Sequence, residues 1–196
     1  MTVRPPKIYL AGPDIFREDA AEFADWQKEV CRAHGLDPLH PMDNNFKPDY
    51  KTLEGASHIY HADVGQMLRC DVICANMGMF RGPEPDSGTC FEIGFIAGMN
   101  EAREKFGAQL PFRPIYGYVE EALNYPEAIR RCGLEDPENP GYDVQGCHIT
   151  PWESLTVNLM MEIPMHETGA FVDTGFEACI ARIAKDWQDR KFEVSK

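Results

Sequence analysis

Two acidic residues, Asp86 and Glu92, lie six positions apart in the segment DSGTCFEIG at 86–94. A helix is predicted to begin at Ser87, which puts Glu92 about one turn inside it, where the helix dipole favours an ionised carboxylate. An attacking carboxylate has to be ionised. Two carboxylates in one pocket push their pKa values apart, so that one can hold a proton. An attacking and a proton-donating carboxylate together are typical of retaining glycosidic chemistry.

The same spacing allows a simpler interpretation, in which Asp86 caps the helix and Glu92 is a solvated acid of its first turns. Spacing alone does not separate the two. The apolar neighbours Phe91, Ile93 and Phe95 argue against full exposure of Glu92. Asp63, on the preceding predicted helix, is a third acid expected to face the same cleft.

The elements that position these acids alternate between strands and helices. Short apolar runs predict strands at 7–11, 36–40, 71–76 and 114–119. Apolar residues at three- and four-residue spacing predict helices at 19–34, 57–69 (capped by Ser57), 87–99, 125–132 and 174–190, with loops at 41–56, 77–86 and 133–151. Residues 158–163 are too short a run to classify. This alternation predicts a doubly wound parallel α/β sheet, with a ligand crevice at the carboxyl ends of the strands, formed by 12–16, 43–46, 77–86 and the start of the 87–99 helix.

Composition excludes several functions. The 196 residues fit one domain, and 32 acidic against 19 basic residues give a net charge of −13, which disfavours nucleic acids and anionic membranes. The seven cysteines are odd in number and form no Cys-x-x-Cys pair, so reduced thiols in a cytoplasmic protein are predicted. His58 and His61 lack an evident third metal ligand. We see no signal peptide and no membrane-spanning run.

Four segments, in this order, resemble the nucleoside 2-deoxyribosyltransferases: KIYLAGP at 7–13, MDNNF at 42–46, FRGPEPDSGTCFEIG at 80–94 and VNLM at 157–160. The third is long and specific, and the set spans most of the chain. The resemblance implies a flavodoxin-like sheet of about five strands in a single domain over residues 1–196. A possible insertion at about 119–151 departs from the shorter members of the family.

The resemblance also implies roles for individual residues. Glu92 matches the nucleophile, Asp86 the acid that protonates the leaving base, Asp63 a second pocket aspartate, and Tyr9 the tyrosine that orients the nucleophile. Asn158 matches a residue that reaches the sugar 5′-hydroxyl from a neighbouring subunit, which predicts a homo-oligomer with a shared site. The other predicted substrate-binding residues are Gly12, Phe16, Asn45, Phe46, Gly88 and Met160. No cofactor or metal is implied.

The predicted function is therefore transfer of the 2-deoxyribosyl group between nucleobases in nucleotide salvage, through a covalent deoxyribosyl-Glu92 intermediate. The segment Phe80-Arg81-Gly82 looks most like that of protozoal members, which favour purines. One alternative is a deoxynucleoside 5′-monophosphate N-glycosidase of the same fold. Asn158 suits an uncharged 5′-hydroxyl and favours transfer. A non-catalytic nucleotide-binding module is a third interpretation, which the four matched catalytic residues make harder to sustain.

Overall fold

The computed structural model describes residues 4–44 and 49–194. Five strands and six α-helices succeed one another along these residues. Their bounds are β1 Lys7–Ala11, α1 Ala20–Ala33, β2 Asp37–Leu39, α2 Leu53–Arg69, β3 Val72–Asn76, α3 Ser87–Phe106, β4 Ile115–Tyr118, α4 Tyr125–Arg131, α5 Leu159–Thr168, β5 Ala170–Val172 and α6 Phe176–Gln188.

The strands form one parallel sheet in the order β2-β1-β3-β4-β5. The chain moves outward from β1 to β2, then crosses back so that β3 lies on the other side of β1. Strand order therefore reverses between β1 and β3, and ligands of doubly wound sheets bind beside such a reversal. The flavodoxin-like fold predicted from the sequence is confirmed.

Alternate residues of the strands enter two separate cores. Ile8 and Leu10 of β1 pack in the core under α1 and α6, whereas Tyr9 and Ala11 pack in the core under α2, α3 and α5. This period of two is a property of any strand. It decides that the Tyr9 side chain points toward the layer containing α2 and α3, the helices that carry the three acids.

Two predicted helices, α2 and α3, had wrong boundaries. Helix α2 begins at Leu53 instead of residue 57, because Thr52 rather than Ser57 accepts a hydrogen bond from a backbone amide, that of Gly55. Helix α3 continues past residue 99 to Phe106 and ends at Gly107, which has a left-handed backbone with φ of 66°. Residues 158–163 belong to α5, and β5 was not predicted at all.

The segment at 119–151 contains α4 and a series of turns closed by two isolated bridges, Glu135 with Asp143 and Tyr142 with His148. Its description as an insertion stays a prediction. Over residues 4–44 and 49–194, no helix is both long enough and apolar enough to cross a membrane.

Candidate active site

Tyr9 and Glu92 meet at the end of β1. The Tyr9 hydroxyl donates a hydrogen bond of 2.5 Å to Oε1 of Glu92. The Tyr9 side chain is fully buried, and that burial, together with the charge of Glu92, raises the pKa of its hydroxyl. Tyr9 therefore remains a neutral donor, and its bond leaves Oε2 of Glu92 available.

The environment of Glu92 raises its pKa to about 7. Burial is the largest cause, the hydrogen bond from Tyr9 opposes it, and the charges of Asp63 and Asp86 add to it. The sequence led us to expect that the helix dipole would favour the ionised form. Burial outweighs that effect, so Glu92 is neither the solvated acid of the simpler interpretation nor a strongly acidic carboxyl.

Asp63 lies on α2 and faces the same two residues, since its charge raises the pKa of both Tyr9 and Glu92. Burial raises the pKa of Asp63 itself, and a hydrogen bond from Nδ2 of Asn44 at 3.3 Å opposes the shift. Asn44 is held in turn by the buried Gln66, whose Nε2 donates to Oδ1 of Asn44 at 3.1 Å. Asp63 thus has a fixed orientation and an increased tendency to hold a proton.

Asp86 is the N-terminal cap of α3. Its Oδ2 accepts from the backbone N–H of Thr89 at 3.1 Å and from the Thr89 hydroxyl at 3.4 Å. A Cβ at position 88 would lie 2.9 Å from the same Oδ2, so Gly88 permits this close approach. Capping, the simpler interpretation of Asp86, is therefore present, and the charge of Asp86 still reaches Glu92. We call Tyr9, Asp63, Asp86 and Glu92 the acid cluster.

Two further predicted residues, Gly12 and Phe16, follow the carboxyl end of β1. A Cβ on Gly12 would lie 2.8 Å from Cβ of Asn76, so only glycine allows this approach. The Phe16 ring is 56% exposed and stacks on Phe80 with centroids 5.4 Å apart. The Arg81 guanidinium lies 4.7 Å from the Phe80 centroid, on a backbone with the unusual φ of 56°.

No contact among the described residues joins Asn158 or Met160 to the acid cluster. Asn158 caps α5 by accepting from the Met160 backbone N–H at 3.0 Å, and in the described part of the chain its side chain makes no hydrogen bond to the cluster. The Met160 side chain is 73% exposed. Asn45 and Phe46 lie outside the described residues.

Within residues 4–44 and 49–194, no group of three or more His, Cys, Asp or Glu side chains is placed to hold a metal ion. The arrangement suits acid–base and nucleophilic chemistry. It contains an oriented carboxylate whose second oxygen no described residue bonds, a neutral hydroxyl donor, and a neighbouring carboxyl whose pKa is raised by burial.

Comparison with known proteins decides the family. The sequence model described as "Nucleoside 2-deoxyribosyltransferase" matches residues 8–162, which include the whole acid cluster. The chain belongs to the nucleoside 2-deoxyribosyltransferase family. Among solved structures, the 2-desoxiribosyltransferase from Leishmania mexicana is similar at 26% identity with a TM-score of 0.66, over 92% of this chain and 98% of that one.

Two other proteins are similar to this chain. A conserved protein from Enterococcus faecalis V583 shares the fold at 20% identity and a TM-score of 0.57, over 92% of this chain and 98% of that one. The uncharacterized protein C191.05c of Schizosaccharomyces pombe is 28% identical over 129 residues, which are 64% of this chain and 55% of that protein. The chain thus matches little more than half of the yeast protein's length. Family and neighbours support a 2-deoxyribosyltransferase-like function and do not favour the monophosphate hydrolase.

Sequence reasoning missed one residue that contacts the cluster in this family member. Asn44, which hydrogen-bonds Asp63, is the immediate neighbour of the predicted Asn45. The MDNNF segment was the available signal, but the choice between two adjacent asparagines depends on the backbone of the turn at Pro41–Asp43. The sequence does not specify that backbone.

Proposed function

We propose that this protein transfers the 2-deoxyribosyl group between nucleobases by a retaining double displacement, with Glu92 as the nucleophile. The observation that carries the proposal is the 2.5 Å hydrogen bond from the Tyr9 hydroxyl to Oε1 of Glu92. It orients one carboxylate inside a cluster of three, in a chain whose family carries out this class of transfer. A solvated surface acid would need no such buried partner.

In the first half-reaction, Oε2 of ionised Glu92 attacks C1′ of a deoxynucleoside. The C1′–N bond breaks, its electron pair leaves with the base, and the base takes up a proton. The positive charge that develops on the sugar ring is stabilised by the carboxylates of the acid cluster. Because Tyr9 bonds Oε1, it fixes the rotation of the carboxylate and directs Oε2 toward the sugar.

We assign the proton to Asp63 rather than to Asp86, the residue that the family resemblance suggested. A proton donor has to be neutral at the working pH. Burial raises the pKa of Asp63, whereas Oδ2 of Asp86 is occupied by two donors from Thr89. In the second half-reaction, a nitrogen of the acceptor base attacks C1′, the C1′–Oε2 bond breaks, and Asp63 takes back the proton. Two inversions give retention.

The proposed bases are purines, and the proposed role is purine salvage. The support is the Phe80-Arg81-Gly82 segment, whose ring and guanidinium form a stacked surface with Phe16 near the carboxyl edge of the sheet. Stacked aromatic faces suit the flat faces of a bicyclic base.

We further propose that the protein acts as a homo-oligomer whose Asn158 completes the site of a neighbouring copy. The support is an apolar surface on α2, α3 and α5, where Tyr60, Phe91 and Met160 are each about half or more exposed. The Tyr60 and Phe91 rings lie 6.1 Å apart. Exposed contiguous apolar surface is typical of an interface. Light scattering should give the mass of at least a dimer, and a monomer that is fully active would refute the shared site.

The function is tested by incubating the protein with deoxyinosine, with and without free adenine, and separating the products. Deoxyadenosine that forms only when adenine is present is the expected result. Hypoxanthine release without an acceptor, faster on the 5′-monophosphate, would instead indicate the hydrolase, and no turnover would refute both. Glu92→Ala should abolish transfer, while the exposed Glu104→Gln on the same helix serves as the matched control.

A further inference from the structure

The opposite edge of the sheet, where the parallel strands begin, carries a pocket of about 440 Å³ that no residue of the acid cluster lines. Lys7 begins β1, Cys70 precedes β3 and Arg113 precedes β4, and all three line this pocket. We call it the amino-edge pocket. Because a strand rises about 3.3 Å per residue, strands of this length keep the pocket roughly 15 Å from the crevice at their carboxyl ends.

The lining of the amino-edge pocket is positively charged. It includes four basic residues, and among the described residues no acidic one lines it: Arg4, Lys7, Arg69 and Arg113. The chain as a whole has the opposite character, with 32 acidic against 19 basic residues. A concave surface with charge of one sign concentrates ions of the other sign. The amino-edge pocket therefore attracts anions although the protein is acidic.

The neighbouring carboxylate of Asp71 balances only part of this charge. Asp71 is buried and accepts from Nη1 and Nη2 of Arg4 at 2.6 and 2.9 Å, and from the Lys7 backbone N–H at 2.7 Å. Its charge is thus directed to Arg4. Within residues 4–44 and 49–194, the side chains of Lys7 and Arg69 make no ion pair. Their charges, with that of Arg113, remain for a ligand.

Arg113 is the most informative member of the pocket, because its guanidinium is almost completely buried. Three carbonyl oxygens hold it: Nε donates to Cys70 at 2.9 Å, Nη2 to Leu68 at 2.7 Å and Nη1 to Pro111 at 3.3 Å. These bonds fix the guanidinium, yet a carbonyl carries no net charge, and no described carboxylate lies within 4 Å. A buried charge is costly unless an opposite charge accompanies it. Two of its five N–H groups also remain for an acceptor.

The other walls of the amino-edge pocket are apolar. Leu68, Met99 and Leu110 line it, and the Leu68 side chain is 48% exposed. Pockets that hold small ligands run from about 300 to 1,000 Å³ and combine apolar walls with a few polar groups. Guanidinium and ammonium groups are the side chains that bind phosphate oxygens. The pocket therefore suits a ligand that has both a phosphate and an apolar body.

We propose that the amino-edge pocket binds a small organic phosphate. The phosphate lies between Lys7, Arg69 and Arg113, and the apolar body of the ligand packs against Leu68 and Leu110. This site is independent of the catalytic crevice, so its ligand and the nucleoside bind at the same time.

The test measures binding of AMP, in which a phosphate is joined to a flat ring system, to the unmodified protein by calorimetry in low-salt buffer. We expect one AMP in the amino-edge pocket, and inorganic phosphate, which lacks the apolar body, should bind at least about tenfold more weakly. Added NaCl should weaken AMP binding because it screens the charges. Absence of AMP binding, or inorganic phosphate that binds as tightly as AMP, would overturn the proposal.

Variants locate the bound AMP. Lys7→Ala combined with Arg69→Ala should weaken it at least about tenfold, the worth of a lost hydrogen bond to a charged group. Arg103→Ala combined with Lys105→Ala removes the same charge from exposed positions of α3 that do not line the pocket, and is the matched control. Phe16→Ala, in the catalytic crevice, should leave this AMP bound.

The variants also decide against the proposal if it is wrong. Equal weakening in the two double variants would mean that AMP responds to overall charge without occupying the amino-edge pocket. Binding that is lost in Phe16→Ala and kept in the Lys7 and Arg69 double variant would place AMP in the catalytic crevice. Either result would overturn the proposal. Arg113 is left unchanged in these variants because its three bonds support the fold.

Discussion

Asp14 accepts hydrogen bonds from Asn76, Gln27 and Tyr118, a group that we call the Asp14 network. The acid cluster and the Asp14 network both place a carboxylate beside a buried tyrosine at the carboxyl edge of the sheet, yet their other neighbours differ. Glu92 has two further carboxylates nearby, and burial and these charges raise its pKa to about 7. Asp14 is surrounded by neutral donors from Asn76, Gln27 and Tyr118. Crowded acids produce a group that is poised to change its charge, whereas neutral donors produce a fixed acceptor. We associate the first with bond making, whereas the second holds its carboxylate in one orientation.

Among the residues around Glu92, the largest expected effect comes from removing the proposed proton donor. Asp63→Asn should lower kcat for deoxyadenosine by about 100-fold or more, the range of a lost general acid. A 7-methylated purine nucleoside, whose base already carries positive charge, should lose much less because its departure needs no proton. Steady-state kinetics on the two substrates make the measurement, with Glu104→Gln as the control. Equal losses on both substrates would remove Asp63 from the proton transfer.

Stability should change in opposite directions at the two carboxylates. The pKa of Glu92 rises from 4.5 to about 7 on folding. The stabilisation that protonated Glu92 gives the folded state is therefore complete below pH 4.5 and is lost as the pH rises through 7. At pH 8, Glu92→Gln should therefore raise the free energy of unfolding, by about 3 kcal/mol at most, and near pH 4 it should change little. Asp14→Ala should lower it by about 1–3 kcal/mol at both pH values, because buried donors lose their acceptor.

Urea unfolding at pH 4 and pH 8 measures both variants. A Glu92→Gln protein that is less stable than the original at pH 8 would mean that ionised Glu92 is well stabilised. The contrast between the two carboxylates would then disappear.

Removal of the Tyr9 hydroxyl separates orientation from charge. Tyr9→Phe takes away a donor that favours ionised Glu92, so the pKa of Glu92 should rise further and the acidic limb of the kcat/KM profile should move above pH 7. The rate at the optimum should fall about tenfold, the worth of a hydrogen bond to a charged group. The pH–rate profile is the measurement. A lower rate with an unshifted limb would assign Tyr9 to packing alone.

The smallest effect is expected at Asp86, where capping and charge are combined. Asp86→Ala should lower the free energy of unfolding by about 1 kcal/mol, because α3 loses its cap. It should also lower the pKa of Glu92, which moves the acidic limb of the kcat/KM profile to lower pH. Asn124→Ala removes the cap of α4 at a distance from the acid cluster and is the matched control. It should cost similar stability without moving the limb. If Asp86→Ala also leaves the acidic limb of the kcat/KM profile in place, Asp86 caps α3 and does not influence the pKa of Glu92.

Much of the fold could be predicted because its signals are local. The buried strand at 72–76 and the amphipathic helix at 20–33 follow from apolar runs and periodicity, and their alternation specifies the parallel sheet. The start of α2 was missed because Thr52 and Ser57 are equally good caps by type, and only the course of the preceding turn selects Thr52. Strand β5 was missed because three residues carry too little pattern.

The candidate site, like the fold, could be predicted from the sequence only in part. Tyr9, Asp86 and Glu92 could be named because they lie in motif-bearing segments, and strand alternation directs Tyr9 to the helix layer of Glu92. The pKa of Glu92 could not be predicted, since burial by tertiary packing reverses the local effect of the helix dipole. The Asp14 network could not be predicted either. It joins residues from a short 3-10 turn at Pro13–Phe16, from helix α1 and from strands β3 and β4, up to 104 positions apart, and no local pattern connects them.

The central claim is that Glu92 forms the bond to the sugar, and a direct test is to trap that bond. The protein is incubated with a 2′-fluorinated deoxynucleoside without acceptor base, because fluorine slows loss of the sugar from the enzyme. The digested protein is then mapped by mass spectrometry. We predict one fluorinated deoxyribosyl group per chain, on the peptide containing Glu92 and on Glu92 itself, which leaves again when adenine is added. A label on Asp63 or Asp86, or steady turnover with no labelled peptide, would contradict the account.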